Sequence, residues 1–174
     1  MNNFKKIMYG VAAFVAVLLL TGLDQYTKHL AATKLPGNTF VLIDGVFELR
    51  YLENRGSAFG MLQNRIPLLL IVSVFVLILA IFYFVKLPWT KKMNGVRVLM
   101  VFIAAGGIGN MIDRMCLGYV VDFFYFKLIN FPIFNVADIY VTVSIIILFI
   151  LVLFFFHEEE LESFSIFSKK EKHE

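Results

Sequence analysis

The chain has 174 residues and a formal net charge of +3, yet 60% of its residues are hydrophobic and only 17% are charged, with a mean hydropathy of +0.81. A soluble domain of that length cannot hide so much apolar surface in one core, so lipid is the solvent for much of this chain. The basic surplus sits at the ends of apolar runs, with no stripe of Lys or Arg interleaved with aromatics, which argues against a nucleic-acid partner.

Four uncharged segments follow one another, at 7–23, 67–85, 98–112 and 139–156. Each is bounded by charged or strongly polar residues. Isolated apolar spans must satisfy their own backbone groups, so each is predicted to be a transmembrane helix. The first follows Lys5 and Lys6 and lacks a clear small-x-small cleavage site, so it reads as a retained anchor rather than a removed signal. Between spans two and three, residues 86–97 hold four Lys or Arg in twelve positions, whereas residues 24–66 hold five in forty-three. Short loops rich in positive charge stay inside, so 86–97 and both termini are placed in the cytoplasm, and 24–66 and 113–138 face outward. The third segment is short: fifteen residues rise only about 22 Å, which puts either Arg97 or the polar stretch 110–114 within the membrane's depth. Asp138, just before the fourth segment, falls near the outer hydrocarbon boundary at that helix's N-terminus.

The outer stretch 40–60 has a different period. Val41, Ile43, Val46, Phe47, Leu49 and Tyr51 approximate strand alternation, with Asp44-Gly45 as a hairpin turn. The expected architecture is therefore an all-α membrane fold, a four-transmembrane-helix bundle with a small extracytoplasmic β-sheet between helices 1 and 2. Residues 1–156 form its single domain, and 157–174 form a charged cytoplasmic tail.

Polar and ionisable side chains at membrane depth are costly and point to function. They gather on the outer side: Asp24 and Lys28 after the first span, Asn54 in the outer segment, Asn110, Asp113 and Arg114 ending the third, then Asp122, Asn135 and Asp138. Asp122 and Asp138 both lie in strongly apolar surroundings, sixteen positions apart, which leaves room for a loop to bring them together. Two close carboxylates in low dielectric share a proton, and such a pair can activate water with one member and protonate a peptide carbonyl with the other. The N-terminus of the fourth helix favours charge on Asp138, leaving Asp122 as the protonated partner. The blander reading makes each Asp a helix cap or an interface marker.

Asn110, Asp113 and Arg114 share a helical face, where Arg114 either orients a carbonyl or lipid group or pairs with Asp113 to close the helix end. Gly106, Gly107 and Gly109 read as packing positions rather than a nucleotide loop. Asp24 and Lys28 form an i,i+4 pair, a structural tether, although a pairing of Lys28 with Ser57 stays open. No metal and no cofactor is expected: Cys116 is single, and His29, His157 and His173 are scattered.

Five stretches together resemble the lipoprotein signal peptidase (signal peptidase II) family of intramembrane aspartyl proteases. They are Asp24-Gln25-Tyr26-Thr27-Lys28, Glu53-Asn54-Arg55-Gly56-Ser57-Ala58-Phe59-Gly60, the run from Gly106 to Arg114, Val120-Val121-Asp122-Phe123, and Phe134-Asn135-Val136-Ala137-Asp138. The resemblance covers about residues 5–156 and implies that Asp122 and Asp138 are the catalytic dyad. Asp24, Lys28, Asn54, Gly56, Asn110, Asp113, Arg114, Asn135 and Ala137 would then bind substrate or support the site. It also implies a diacylglyceryl-modified bacterial prolipoprotein as substrate, cut on the N-terminal side of the lipidated cysteine, in the bacterial cytoplasmic (inner) membrane. Membrane lipids would be partners and globomycin-type peptides inhibitors. Two other functional classes remain at this point: a small proton- or ion-coupled transporter using the same carboxylates, and a non-catalytic assembly or lipid-binding factor.

Overall fold

The computed structural model describes residues 2–57, 61–162 and 164. Ala58, Phe59 and Gly60 of the second stretch, and most of the charged tail, lie outside the described residues.

Four helices have the length and apolar content to cross a membrane: α1 (Asn3–Lys34), α2 (Ile66–Lys86), α3 (Lys91–Cys116) and α4 (Val136–Phe154). The chain is a multi-pass membrane protein. Two helices are longer than their uncharged runs by about ten residues or more. α1 continues through Asp24 and Lys28, and α3 begins at Lys91 and runs past Arg114. Asp24, Arg97 and Asp113, which bounded those runs, are inside the helices, buried and partnered there. Arg97 shows how: its guanidinium donates to the carbonyls of Phe84, Leu87 and Pro88 at the end of α2 and to Asn94, and it stacks 3.7 Å over the Trp89 ring. It supplies donors to the last carbonyls of one helix, which have no partner of their own, from the first turns of the next. Helix starts are set locally: Thr90 caps α3 through the Met93 N–H, and Pro67 sits in the first turn of α2.

α3 is the central helix, buried on several sides, with α1, α2 and α4 all packed against it. The outward faces of the other three expose Ile7, Phe14, Leu19, Phe75, Ile78, Phe149 and Phe154 to the surroundings. In water that would be ruinous, but in lipid it is the stable arrangement. Past α4, the short helix α5 (Glu158–Glu162) turns back against α3, where Glu160 pairs with Lys92, and the Tyr83 hydroxyl donates to the Phe164 carbonyl.

At the other end lies a three-stranded antiparallel sheet, ordered β1 (Thr39–Ile43), β2 (Phe47–Asn54), β3 (Val120–Phe126). The first two strands form the expected hairpin, with Gly45 at a φ of +70° in its turn. The third comes from the segment after α3 and carries Asp122, a strand the sequence reading did not include. β3 pairs with β2, placing Leu52 opposite Asp122 and Asn54 opposite Val120. The chain then doubles back, and Phe134 closes against β3 by accepting the N–H groups of Phe123 and Phe124.

Candidate active site

That return loop is what brings the predicted carboxylates together. Asp122 is fixed on β3, and Asp138 is in the first turn of α4, whose N-cap is Asn135. The cap is reciprocal: the Asn135 side chain accepts from the Asp138 N–H at 3.0 Å, while the Asn135 N–H donates to Asp138 Oδ2 at 3.1 Å. The other end of the same amide donates to Asp122 Oδ1 at 2.6 Å. One fully buried asparagine therefore holds both aspartates.

Two more asparagines complete the arrangement. Asn110 Nδ2 donates to Asp138 Oδ1 at 2.8 Å, and Asn54 Nδ2 donates to Asp122 Oδ2 at 2.8 Å. An amide has a donor end and an acceptor end, and donor-only groups set which way each points. Asn54 Oδ1 accepts the Gly56 N–H at 2.9 Å, and Asn110 Oδ1 accepts from the Lys28 ammonium at 2.8 Å. All four carboxylate oxygens of the pair thus receive an N–H. Arg114, in the last turn of α3, donates from Nη2 to the Gly56 carbonyl at 3.2 Å, and its buried Nε has no hydrogen-bond partner among the described residues.

Behind the pair lies a second polar layer. Asp24 is fully buried and accepts the Ala137 N–H at 2.9 Å through Oδ1. Asp113 accepts the Val121 N–H at 3.1 Å through Oδ2. Lys28 reaches both, at 2.9 Å and 3.0 Å. Gln25, which the sequence reading did not single out, donates to Asp113 at 2.8 Å and to the Gly109 carbonyl at 3.1 Å. A glutamine near the end of an apolar run looks solvated in sequence; only its i,i+4 step from buried Thr21 hints at an inward face.

The glycines of α3 open this space. A methyl group at Gly109 would run into the Asp24 carboxylate, and one at Gly106 would lie 2.5 Å from the Ala137 carbonyl oxygen. At Gly107 the added group meets nothing within 4 Å among the described residues. The Ser57 hydroxyl, by contrast, donates to the Met61 carbonyl at 3.2 Å, while the Lys28 ammonium is engaged by Asp24, Asp113 and Asn110.

The charges do not balance if all are ionised. Four carboxylates, Asp24, Asp113, Asp122 and Asp138, face two cations, Lys28 and Arg114. Asp122 is 1% exposed, whereas Asp138 is half-buried. Burial, and after it the neighbouring charge of Asp138, push the Asp122 carboxyl up to about 7. A proton on Asp122 removes one of the two surplus negative charges.

The family model described as Signal peptidase (SPase) II matches residues 15–154. The chain belongs to the signal peptidase II family. All eleven candidate site residues lie within the match. A lipoprotein signal peptidase of Streptococcus thermophilus is 46% identical over 142 residues, 81% of this chain and 92% of that protein. One from Caldanaerobacter subterraneus is 46% identical over 138 residues, 78% of this chain and 92% of its own length. A solved bacterial membrane enzyme, determined by the in meso method at 2.3 Å, superposes with a TM-score of 0.72 at 30% identity, covering 82% of this chain and 87% of that one. A second, at 1.9 Å, gives 0.71 at 29%, covering 83% and 94%.

A signal peptidase II removes signal peptides from prolipoproteins, and so must hydrolyse a peptide bond. The site of this family member, at the sheet-bearing end of the bundle, presents one accessible and one buried carboxylate with every oxygen oriented by an amide N–H.

Proposed function

We propose that this protein removes signal peptides from diacylglyceryl-modified prolipoproteins by hydrolysing the peptide bond N-terminal to the lipidated cysteine, with Asp122 and Asp138 as its aspartic dyad. The observation that carries the reading is the single Asn135 side chain holding both carboxylates in a buried site, in a chain of the signal peptidase II family. A proton shared by two carboxylates is what acid–base hydrolysis of an amide requires.

The roles follow from the surroundings. Asp138, half-buried at a helix N-terminus, is the ionised member and takes a proton from water as the hydroxide attacks the scissile carbonyl. Asp122, buried and protonated, donates to the carbonyl oxygen as the tetrahedral diol forms. The proton held by Asp138 then passes to the leaving amine, the C–N bond breaks, and the diol returns its proton to Asp122. Asn54, Asn110 and Asn135 keep the carboxylates oriented, and Asp24, Lys28, Asp113 and Ala137 hold the backbones on which they ride. Arg114 and the Gly56 backbone border the site where the substrate chain would lie.

The distribution of Lys and Arg supports cytoplasmic termini and a site near the outer face of a bacterial cytoplasmic membrane. A diacylglyceryl cysteine keeps its acyl chains in the bilayer and so holds the scissile bond at that depth, which converts anchoring into positioning. Globomycin-type peptides are expected to compete for the same site.

The test compares a prolipoprotein with and without the diacylglyceryl group on its cysteine, using purified enzyme in lipid. Cleavage of the lipidated precursor alone, with a new N-terminus at the modified cysteine by mass spectrometry, is the expected result. Equal cleavage of both precursors, or a cut elsewhere, would overturn the reading.

A further inference from the structure

The pairing Asp24–Lys28 has the sequence spacing of an ordinary surface ion pair on a helix. Its position is not ordinary. The Lys28 side chain is 3% exposed, that of Asp24 0%, and that of Asp113 3%. An ammonium has three hydrogens, and here each finds a different partner side chain, from two helices: Asp24 Oδ2 on α1, and Asp113 Oδ2 and Asn110 Oδ1 on α3.

What those three partners do with their other atoms matters more. Asp24 uses its second oxygen to hold the N–H of Ala137, one residue before Asp138. Asp113 holds the N–H of Val121 with the same oxygen that binds Lys28, one residue before Asp122. Asn110, with its oxygen turned to the ammonium, must turn its NH2 to Asp138. A single cation thus connects to the backbone of α4 beside one aspartate, to the backbone of β3 beside the other, and to the amide that serves the first.

We propose that Lys28 is a positioning residue for the reaction: its ammonium sets the relation between Asp122 and Asp138 by joining the two carboxylates that hold their backbones, and together with Asn135 Nδ2 it fixes the donor sense of Asn110. This rests on the reading of Asp122 and Asp138 as the dyad. Without the ammonium, Asp24 and Asp113 become two buried like charges with no counter-ion between them, and Asn110 Oδ1 keeps only the longer of its two donors, Asn135 Nδ2 at 3.2 Å. The charged groups that interact with Lys28 are Asp24 from α1, Asp113 from α3, Asp122 from β3 and Asp138 from α4. Lys28 also lowers the cost of charge on Asp122, which supports the same assignment.

Lys28→Met is the direct variant, of near-equal length without charge. It is expected to lower kcat by about a hundredfold, the cost of a small misplacement of reacting groups, while KM for a lipidated precursor changes by less than about threefold. The pH above which kcat declines is expected to move upward, because a cation near Asp122 has been removed. A pure folding strut would not displace that pH. If Lys28→Met does not accumulate, the double variant Lys28→Met/Asp113→Asn, which removes one charge of each sign, takes its place. It is expected to insert and unfold near the wild-type temperature with kcat still depressed at unchanged KM.

The proposal is overturned if any folded variant lacking the ammonium retains kcat within about threefold of wild type, if activity falls only in proportion to folded protein with the pH profile in place, or if neither variant accumulates. Turnover by Asp122→Asn would instead sink the dyad itself, so the two failures are distinguishable.

Discussion

Three neighbouring glycines of α3 give a prediction whose outcome differs at each. Ala is the better helix former by up to about 1 kcal/mol, so Gly→Ala in a helix is favourable unless the methyl group has nowhere to go. At Gly107 there is space, and Gly107→Ala is expected to leave stability unchanged or raise it by up to about 1 kcal/mol. At Gly106 the methyl lies 2.5 Å from the Ala137 carbonyl oxygen and 2.8 Å from Val141 Cγ2, so α4 must shift. Overpacking of that kind costs about 1–3 kcal/mol, and the helix gain offsets only part of it. At Gly109 the methyl displaces the Asp24 carboxylate, lies 3.1 Å from its Cγ, and threatens the bond from Asp24 to the Ala137 N–H. Adding about 1.5–3 kcal/mol for a lost hydrogen bond to a buried charge puts Gly109→Ala at roughly 2–4 kcal/mol destabilised. Thermal unfolding of the three purified variants in one detergent measures the order, Gly107→Ala above Gly106→Ala above Gly109→Ala. Equal unfolding temperatures for Gly106→Ala and Gly107→Ala would refute the close approach of α3 and α4.

Two further outcomes follow. Asp122, with its carboxyl raised from 3.8 to about 7, is bound to its proton more tightly in the fold than in the unfolded chain. Its contribution to stability is full below about pH 4 and is lost as pH rises toward 7, so unfolding temperature should decline over that window and the decline should flatten in Asp122→Asn; superimposable slopes would contradict this. Arg97→Lys is expected to destabilise by about 2–4 kcal/mol, since an ammonium cannot reproduce a fork that serves the Phe84, Leu87 and Pro88 carbonyls and stacks on Trp89. The folded fraction should keep wild-type kcat, measured by titrating active protein.

The four helices, the hairpin and the clustering of polar residues at one end were legible because lipid imposes long uncharged runs and makes any ionisable residue conspicuous. The same rule misjudged helix lengths. Runs were ended at Asp24 and Arg97, whereas both side chains are satisfied inside the protein and the helices pass through them. β3 was hidden for a related reason: Val120, Val121, Asp122 and Phe123 are all buried. With both faces covered, the strand shows no alternation of period two. The contact of Asp122 with Asn54 depended on that strand, and so could not be read from spacing. Gln25 was lost among polar residues at a helix end. Which way each asparagine points depends on donor-only groups such as Lys28 and the Gly56 N–H, which only three dimensions bring to them.

The central claim is that two carboxylates perform the hydrolysis, and its most direct test is turnover of a diacylglyceryl prolipoprotein by Asp122→Asn and Asp138→Asn, each verified as inserted and folded. Each substitution keeps the shape and removes the ionisable group, so each is predicted to abolish cleavage while substrate still binds. Near-normal turnover by either variant would contradict the account.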